Sequence, residues 1–169
     1  MLEAATLFVF PGLMIFAAFS DLFTMTISNR ISMALICVFV LLGIMSGLAA
    51  AEIFWHLASA ALILAVGFAL FAQGWIGGGD AKLAAATAAW LGLDHLAEYA
   101  FVASLLGGGL TLVILGLRHW PVLLLSTEHA WVRRLHQPGT GVPYGVALAI
   151  AGLLLYPGSA IWLAAAAIS

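Results

Sequence analysis

Charged side chains are scarce in this sequence. Only 7% of its 169 residues are Asp, Glu, Lys or Arg, whereas 65% are hydrophobic. A folded soluble domain of this length leaves much of its surface in water and cannot hide so much apolar area. The composition therefore excludes a soluble globular domain, and several long apolar runs predict a multi-pass membrane protein.

Cysteine is nearly absent as well. Cys37 is the only one, which excludes an internal disulfide and a zinc site built from several cysteines. The five histidines are scattered without the spacing of metal ligands, and we expect them to lie mostly at the membrane interface. A net charge of −2 and the lack of a basic stripe argue against a nucleic-acid partner. We expect neither a metal nor a cofactor.

The apolar runs predict an all-α bundle of about six transmembrane helices, with residues 1–169 forming one integral-membrane domain in contact with lipid. The helices are expected at about residues 4–20, 31–51, 53–72, 80–91, 97–117 and 143–156. Glu3 stands where a signal peptide would be basic and no cleavage site follows, so we expect the first helix to be retained. Pro157 is expected to break or kink the last helix before an apolar tail.

Residues 118–142 differ from the rest because they hold three of the basic residues, three histidines and two prolines. A short helix is expected from Ser126 to His136, with Trp131 and Leu135 on one face. This pattern predicts an amphipathic helix on the membrane surface.

The basic residues also predict the topology. With six crossings and the N-terminus outside, the inside links are residues 21–30, 73–82 and 118–142. These links hold every basic residue, namely Arg30, Lys82, Arg118, Arg133 and Arg134. Basic residues favour the cytoplasmic side. Asp21 and Asp80, two helices apart, are therefore both expected at the cytoplasmic edge of the membrane.

Two aspartates at one depth of a bundle can meet. Close carboxylates share a proton, so one can activate a water while the other donates a hydrogen bond to the carbonyl under attack. Helix dipoles favour the anion at Asp80, which opens a helix, and the neutral acid at Asp21, which closes one. The alternative for Asp80 is an N-cap in a glycine-rich turn.

The neighbours of Asp80 suggest further contacts. Gly77, Gly78 and Gly79 would let an extended substrate strand approach the backbone. Lys82, the only lysine, either tunes the charge of the aspartate pair or simply obeys the positive-inside rule. A second triplet, residues 107–109, is expected to mark close helix packing.

Three motifs resemble one known family. Residues 77–83 (Gly-Gly-Gly-Asp-Ala-Lys-Leu) match the G-x-G-D-x-K-[LF] signature of type IV prepilin peptidases, which are GxGD intramembrane aspartyl proteases. Asp21 followed by residues 27–30 (Ile-Ser-Asn-Arg) resembles the family's first aspartate box, an Asp followed by I-P-N, with Ser28 in place of the proline. Residues 143–145 (Pro-Tyr-Gly) resemble a further motif, and the likeness covers essentially the whole chain.

The resemblance implies an aspartic endopeptidase of the bacterial inner (cytoplasmic) membrane. Its catalytic residues would be Asp21 and Asp80, and Asn29 and Tyr144 would support the pair or the substrate, although Tyr144 could equally serve packing. The substrate would be a prepilin or pseudopilin with a short basic leader. Because no paired Cys-x-x-Cys segment is present, the likeness is to short peptidase-only enzymes of Flp (tad-type) pili, without N-methyltransferase activity. The oligomeric state is left open.

Two other classes of protein also place carboxylates in membranes. A proton-coupled carrier would be expected to show inverted repeats and carboxylates near the bilayer midplane, and this chain shows no repeat. A structural assembly subunit would tolerate asparagine at Asp21 and Asp80. The peptidase interpretation explains both aspartates.

Overall fold

The computed structural model describes residues 2–119, 130–137 and 139–166, and all regular structure in that part of the chain is helical. The described residues form the α-helices α1 Leu2–Thr24, α2 Asn29–Met45, α3 Ala50–Ala72, α4 Gly78–Leu91, α5 Leu96–His119, α6 Ala130–His136, α7 Tyr144–Leu155 and α8 Ala160–Ala166. Short 3₁₀ turns, Leu93–His95 and Tyr156–Gly158, precede α5 and join α7 to α8.

Among the residues that the structure describes, three segments are long and apolar enough to cross a membrane, namely Ala4–Thr24, Ala50–Ala72 and Leu93–Arg118. Helices α7 and α8 meet at a 46° bend and together can form a fourth span. The bend lies beside Pro157, where the sequence predicted a break. Helices α2 and α4 are shorter, with 17 and 14 residues. The chain is therefore an all-helical, multi-pass membrane protein, as its composition predicted.

Helix α4 lies in the middle of the bundle, packed against α2, α3 and α7. Most of its residues are buried, and many of them are alanines. Small side chains let neighbouring helices approach closely. A Cβ added at Gly67 of α3 would lie 2.9 Å from the Cβ of Ala81. The predicted burial of α4 against its neighbours is therefore confirmed.

An aromatic cluster fixes the end of α4 remote from Asp80. The ring of Phe10 lies 4.9 Å from Trp90 and 4.5 Å from Tyr156, measured between ring centroids. The indole N–H of Trp90 donates to the carbonyl of Leu35 at 3.0 Å. His56 is buried beside this cluster, where its Nδ1 lies 2.7 Å from the Ala89 carbonyl oxygen.

Several predicted helix boundaries were wrong. Helix α1 continues past Asp21, so this aspartate lies in its last turn and does not follow it. Helix α2 ends at Met45 rather than at about residue 51, and Gly47 follows with φ of +78°. Glu52 does not mark the turn: it lies in the first turn of α3, where its carboxylate accepts the Ala49 N–H at 2.9 Å.

Helix α6 is held at the same end of the bundle as Asp21. Trp131 packs edge-on against Phe23 of α1, at 5.4 Å between ring centroids. Arg134 donates to the Phe23 carbonyl at 2.8 Å, and Arg118 donates to the Leu135 carbonyl at 2.7 Å. Arg118 belongs to α5 and not to the following loop. The predicted start of the helix at residue 126 falls outside the described residues.

Candidate active site

Asp21 is 5% exposed and is held by the beginning of α7. Its Oδ2 accepts the backbone N–H of Gly145 at 2.7 Å. This N–H is one of the free donors at a helix N-terminus, which favours an anion. A Cβ at Gly145 would lie only 2.8 Å from the same oxygen. Glycine is thus what lets α7 approach the carboxylate.

Asp80 lies in the first turn of α4 and is partly buried. Gly77 is the N-cap residue, so the alternative of Asp80 as N-cap is wrong. The Asp80 carboxyl lies beside the backbone of this N-cap residue, since a Cβ added at Gly77 would lie 2.8 Å from Asp80 Oδ2. Gly78 and Gly79 are already helical, and only Gly77 of the triplet precedes the helix.

Ile27 brings the two aspartate sites together. A Cβ at Gly79, beside Asp80, would lie 3.2 Å from the Ile27 Cβ. A Cβ at Gly145, beside Asp21, would lie 2.6 Å from the Ile27 Cδ1. The start of α4 and the start of α7 therefore converge on the turn between α1 and α2. Asp21 and Asp80 lie close enough for the charge of one to act on the other.

The surroundings of Asp80 favour its protonated form. This residue lies outside the three long spans, at the beginning of a 14-residue helix. Burial and the charge of Asp21 raise the pKa of Asp80 to about 6, against the lowering effect of the Gly77 N–H. The helix-dipole argument placed the anion at Asp80, and this assignment stays a prediction.

Lys82 and Asn29, both singled out in the sequence, meet each other. The Lys82 ammonium donates to the Asn29 Oδ1 at 2.8 Å and so links α4 to α2. Within the described part of the chain, Lys82 forms no ion pair with Asp80. Its link to the aspartate pair therefore runs through the position of α2 and not through direct contact.

Tyr144 packs against α5. Its hydroxyl donates to the Ala103 carbonyl at 3.2 Å. Its ring occupies the space beside Gly107, where an added Cβ would lie 2.0 Å from the ring. Close packing is thus seen at Gly107, whereas Gly108 and Gly109 face open space. Tyr144 is the first residue of α7 and Gly145 is the second. The contacts of Tyr144 with α5 therefore help to fix the position of Gly145.

The sequence also matches a known protein family. The sequence pattern of the type IV leader peptidase family matches residues 8–112. The chain belongs to that family. The matched region includes both aspartates, Asn29 and Lys82. A comparison with curated proteins and one with solved structures found no match.

The candidate site contains residues that the sequence analysis did not single out. Gly145 was quoted there only as the last residue of the Pro-Tyr-Gly motif, and Ile27 only as part of the first aspartate box. A glycine in the first turn of an apolar helix, directly after proline and tyrosine, was the available signal for a close approach. Ser28, the departure from the family's proline, is the N-cap of α2, since its hydroxyl accepts the Arg30 N–H at 3.3 Å.

Proposed function

We propose that this chain is a membrane-embedded aspartyl endopeptidase that removes the short leader of prepilins or pseudopilins. The observation that carries the proposal is the convergence of Asp21 and Asp80 at one end of the bundle, where the helix starts beside both residues meet at Ile27 and Asp21 accepts the Gly145 N–H. Membership of a leader peptidase family supports the class of reaction. The substrate and the roles of the residues are the proposal's own.

In the proposed reaction, ionised Asp21 takes a proton from a water molecule, and the water oxygen attacks the scissile carbonyl carbon. Protonated Asp80 gives its proton to the carbonyl oxygen, so the intermediate is a neutral gem-diol. Asp21 then protonates the leaving amine, while Asp80 recovers a proton from the gem-diol as the C–N bond breaks. The pair ends as it began, with one shared proton.

The roles of the two aspartates follow from their surroundings. Asp21 accepts the Gly145 N–H, which stabilises the anion that a general base requires. The raised pKa of Asp80 keeps its carboxyl protonated over a wider pH range than an ordinary aspartate. This order is the reverse of the one that helix dipoles alone predicted.

The proposed substrate is a prepilin or pseudopilin. It has a short leader on the cytoplasmic side of the membrane, and this leader is joined to an apolar helix. Helices α2 and α3 separate the two aspartates in the chain, so the chain leaves this end of the bundle and returns to it. Arg30, Lys82 and Arg134 lie in the segments beside the pair. Basic residues favour the cytoplasmic face, which supports an N-terminus outside and an active site inside the bacterial inner membrane.

The Flp (tad-type) form of the activity is also part of the proposal. Since the sequence has one cysteine, it holds no Cys-x-x-Cys pair. We expect cleavage to leave an unmethylated amino terminus on the pilin. Mass spectrometry of the product measures this directly, and a mass increase of one methyl group would contradict it.

Co-expression with a candidate Flp-type prepilin tests the reaction. We expect the unaltered chain to shorten the pilin on a gel, while Asp21→Asn and Asp80→Asn leave it full length. Asp94→Asn is a matched control, because Asp94 is exposed in the 3₁₀ turn before α5 and should not affect cleavage. All variants must be present in the membrane at equal levels. Normal cleavage by either pair variant would disprove the two-aspartate mechanism.

A further inference from the structure

Near the end of α5, the Arg118 guanidinium binds the segment that leads into α7. Its Nε donates to the Leu135 carbonyl at 2.7 Å. Its Nη2 donates to the Thr140 carbonyl at 2.8 Å and to the Thr140 hydroxyl at 3.1 Å, and it lies 3.3 Å from the Gly141 carbonyl oxygen. One side chain of α5 therefore binds oxygens at the end of α6 and oxygens just before α7.

The segment that Arg118 binds leads directly into the Asp21 contact. Gly141 comes four positions before Gly145, whose N–H donates to Asp21 Oδ2 at 2.7 Å. The chain between them has little freedom, because Pro143 is fully buried and a proline fixes its own φ and restricts the residue before it. A displacement of the backbone at Gly141 is therefore passed on to the Gly145 N–H.

Helix α6 connects the same segment to the other side of Asp21. Arg134 donates to the carbonyl of Phe23, which follows Asp21 by two residues in α1, at 2.8 Å. The Thr140 hydroxyl donates to the Arg134 carbonyl at 2.6 Å. Hydrogen bonds thus join α1, α6 and the segment before α7, and Arg118 connects this group to α5.

A role in membrane topology alone does not explain the contacts of Arg118. A basic residue that only marks the cytoplasmic side extends its charge into water or lipid headgroups. Arg118 is instead partly buried, and within the described part of the chain it forms no ion pair with a carboxylate. Its planar guanidinium holds several donors in fixed directions, which suits several carbonyl oxygens at once. The geometry therefore indicates that Arg118 holds the backbone in place.

We propose that Arg118 is a positioning residue for cleavage. It holds the segment before α7 so that the Gly145 N–H is directed at Asp21, and it acts through Gly145 without touching the reacting atoms. This inference rests on the proposed function, since it concerns the same aspartate. It assigns a role to a residue that lies outside the three motifs and outside residues 8–112, which the family pattern matches.

Kinetics of prepilin cleavage give the first test. Arg118→Met removes the donors and keeps an apolar stem. We expect kcat to fall about tenfold while KM changes by less than about twofold, because the Gly145 N–H acts on Asp21 and not on substrate binding. Arg133→Met is the matched control, since Arg133 is exposed on α6 and loses the same charge. The control should cleave like the unaltered chain, and equal losses from both variants would overturn the proposal.

A double variant tests whether Arg118 acts through Gly145. If Arg118→Met and Gly145→Ala disturb the same hydrogen bond, their effects on kcat do not multiply. We expect Arg118→Met to slow the Gly145→Ala chain by no more than about twofold further. A further loss as large as the one in the unaltered chain would show that Arg118 acts elsewhere, and the proposal would be wrong.

NMR of the chain in detergent, with isotope-labelled glycine, needs no substrate. The Gly145 amide is identified by its loss in Gly145→Ala. We expect Arg118→Met to shift this amide signal and to speed its hydrogen exchange about tenfold, while the Gly152 amide further along α7 stays unchanged. An unchanged Gly145 amide, or equal changes at both amides, would overturn the proposal.

Two outcomes separate this inference from the proposed function. If the unaltered chain does not cleave, the proposed function fails, whatever the amide signals show. If it cleaves and the Gly145 amide does not respond to Arg118→Met, the positioning proposal alone is wrong. Should Arg118→Met fail to fold, Arg118→Lys keeps the charge but not the fork of donors, and the same change at Gly145 is expected from it. An unchanged Gly145 amide in that variant would equally overturn the proposal.

Discussion

Replacement of Gly145 by alanine tests how Asp21 is held. The added Cβ would lie 2.8 Å from Asp21 Oδ2, 3.1 Å from its Cγ and 2.6 Å from the Ile27 Cδ1. A Cβ cannot remain 2.8 Å from Asp21 Oδ2, so either the carboxylate or the start of α7 must move. Either movement lengthens the 2.7 Å hydrogen bond from the Gly145 N–H to Asp21.

The expected size of the effect follows from that hydrogen bond. A hydrogen bond to a charged group contributes about 1.5–3 kcal/mol. If the bond is lost in the active state, cleavage slows by roughly 10- to 100-fold, since about 1.4 kcal/mol is a factor of ten. The rate of prepilin shortening in membranes measures this. A rate within twofold of the unaltered chain would refute the proposed role of the Gly145 N–H.

Two controls separate the loss of the hydrogen bond from poor folding. Gly109→Ala makes the same substitution in a helix, at a position with no neighbouring atom within 4 Å, and should leave the rate unchanged. The double variant Gly145→Ala, Ile27→Val removes the Cδ1 that the new methyl group would meet. We expect it to recover thermal stability in detergent while cleavage stays slow, because the contact with Asp21 remains.

Two further predictions concern protonation and packing. Asp80 must be protonated to act as the acid, so kcat/KM should fall on the alkaline side as pH rises through its pKa of about 6; a profile that is flat from pH 5 to 8 would contradict this role. Gly107→Ala places a Cβ 2.0 Å from the Tyr144 ring and should lower the free energy of unfolding by about 1–3 kcal/mol. Gly108 faces open space, so Gly108→Ala should not lower the free energy of unfolding. Thermal unfolding of the two variants measures the difference.

The overall architecture could be predicted because hydrophobicity decides it. Long apolar runs must be helical in lipid, where every backbone polar group needs a partner within the segment. The order of the apolar helices follows from those runs, and the break in the last helix follows from Pro157. The boundaries were less predictable. Glu52 was taken as a turn residue because a charge interrupts an apolar run, yet it caps a helix that starts earlier.

The candidate site was also predictable only in part: the sequence pointed to its residues but not to their contacts. Asp21, Asp80 and Lys82 stood out because charged groups are costly inside an apolar chain, whereas Asn29 stood out only through the family resemblance. The sequence could not show that Lys82 would bind Asn29 and not the aspartates, since that contact joins residues 53 positions apart.

By itself, the sequence determined an all-helical membrane protein of the leader peptidase family with two aspartates near helix ends. Tertiary structure decided what surrounds each aspartate. Burial and the charge of Asp21 act on Asp80, while the Gly145 N–H, 124 positions away in the chain, binds Asp21. Such differences depend on which helix ends and which neighbours surround each carboxyl group. These are properties of the packed bundle, and local sequence does not encode them.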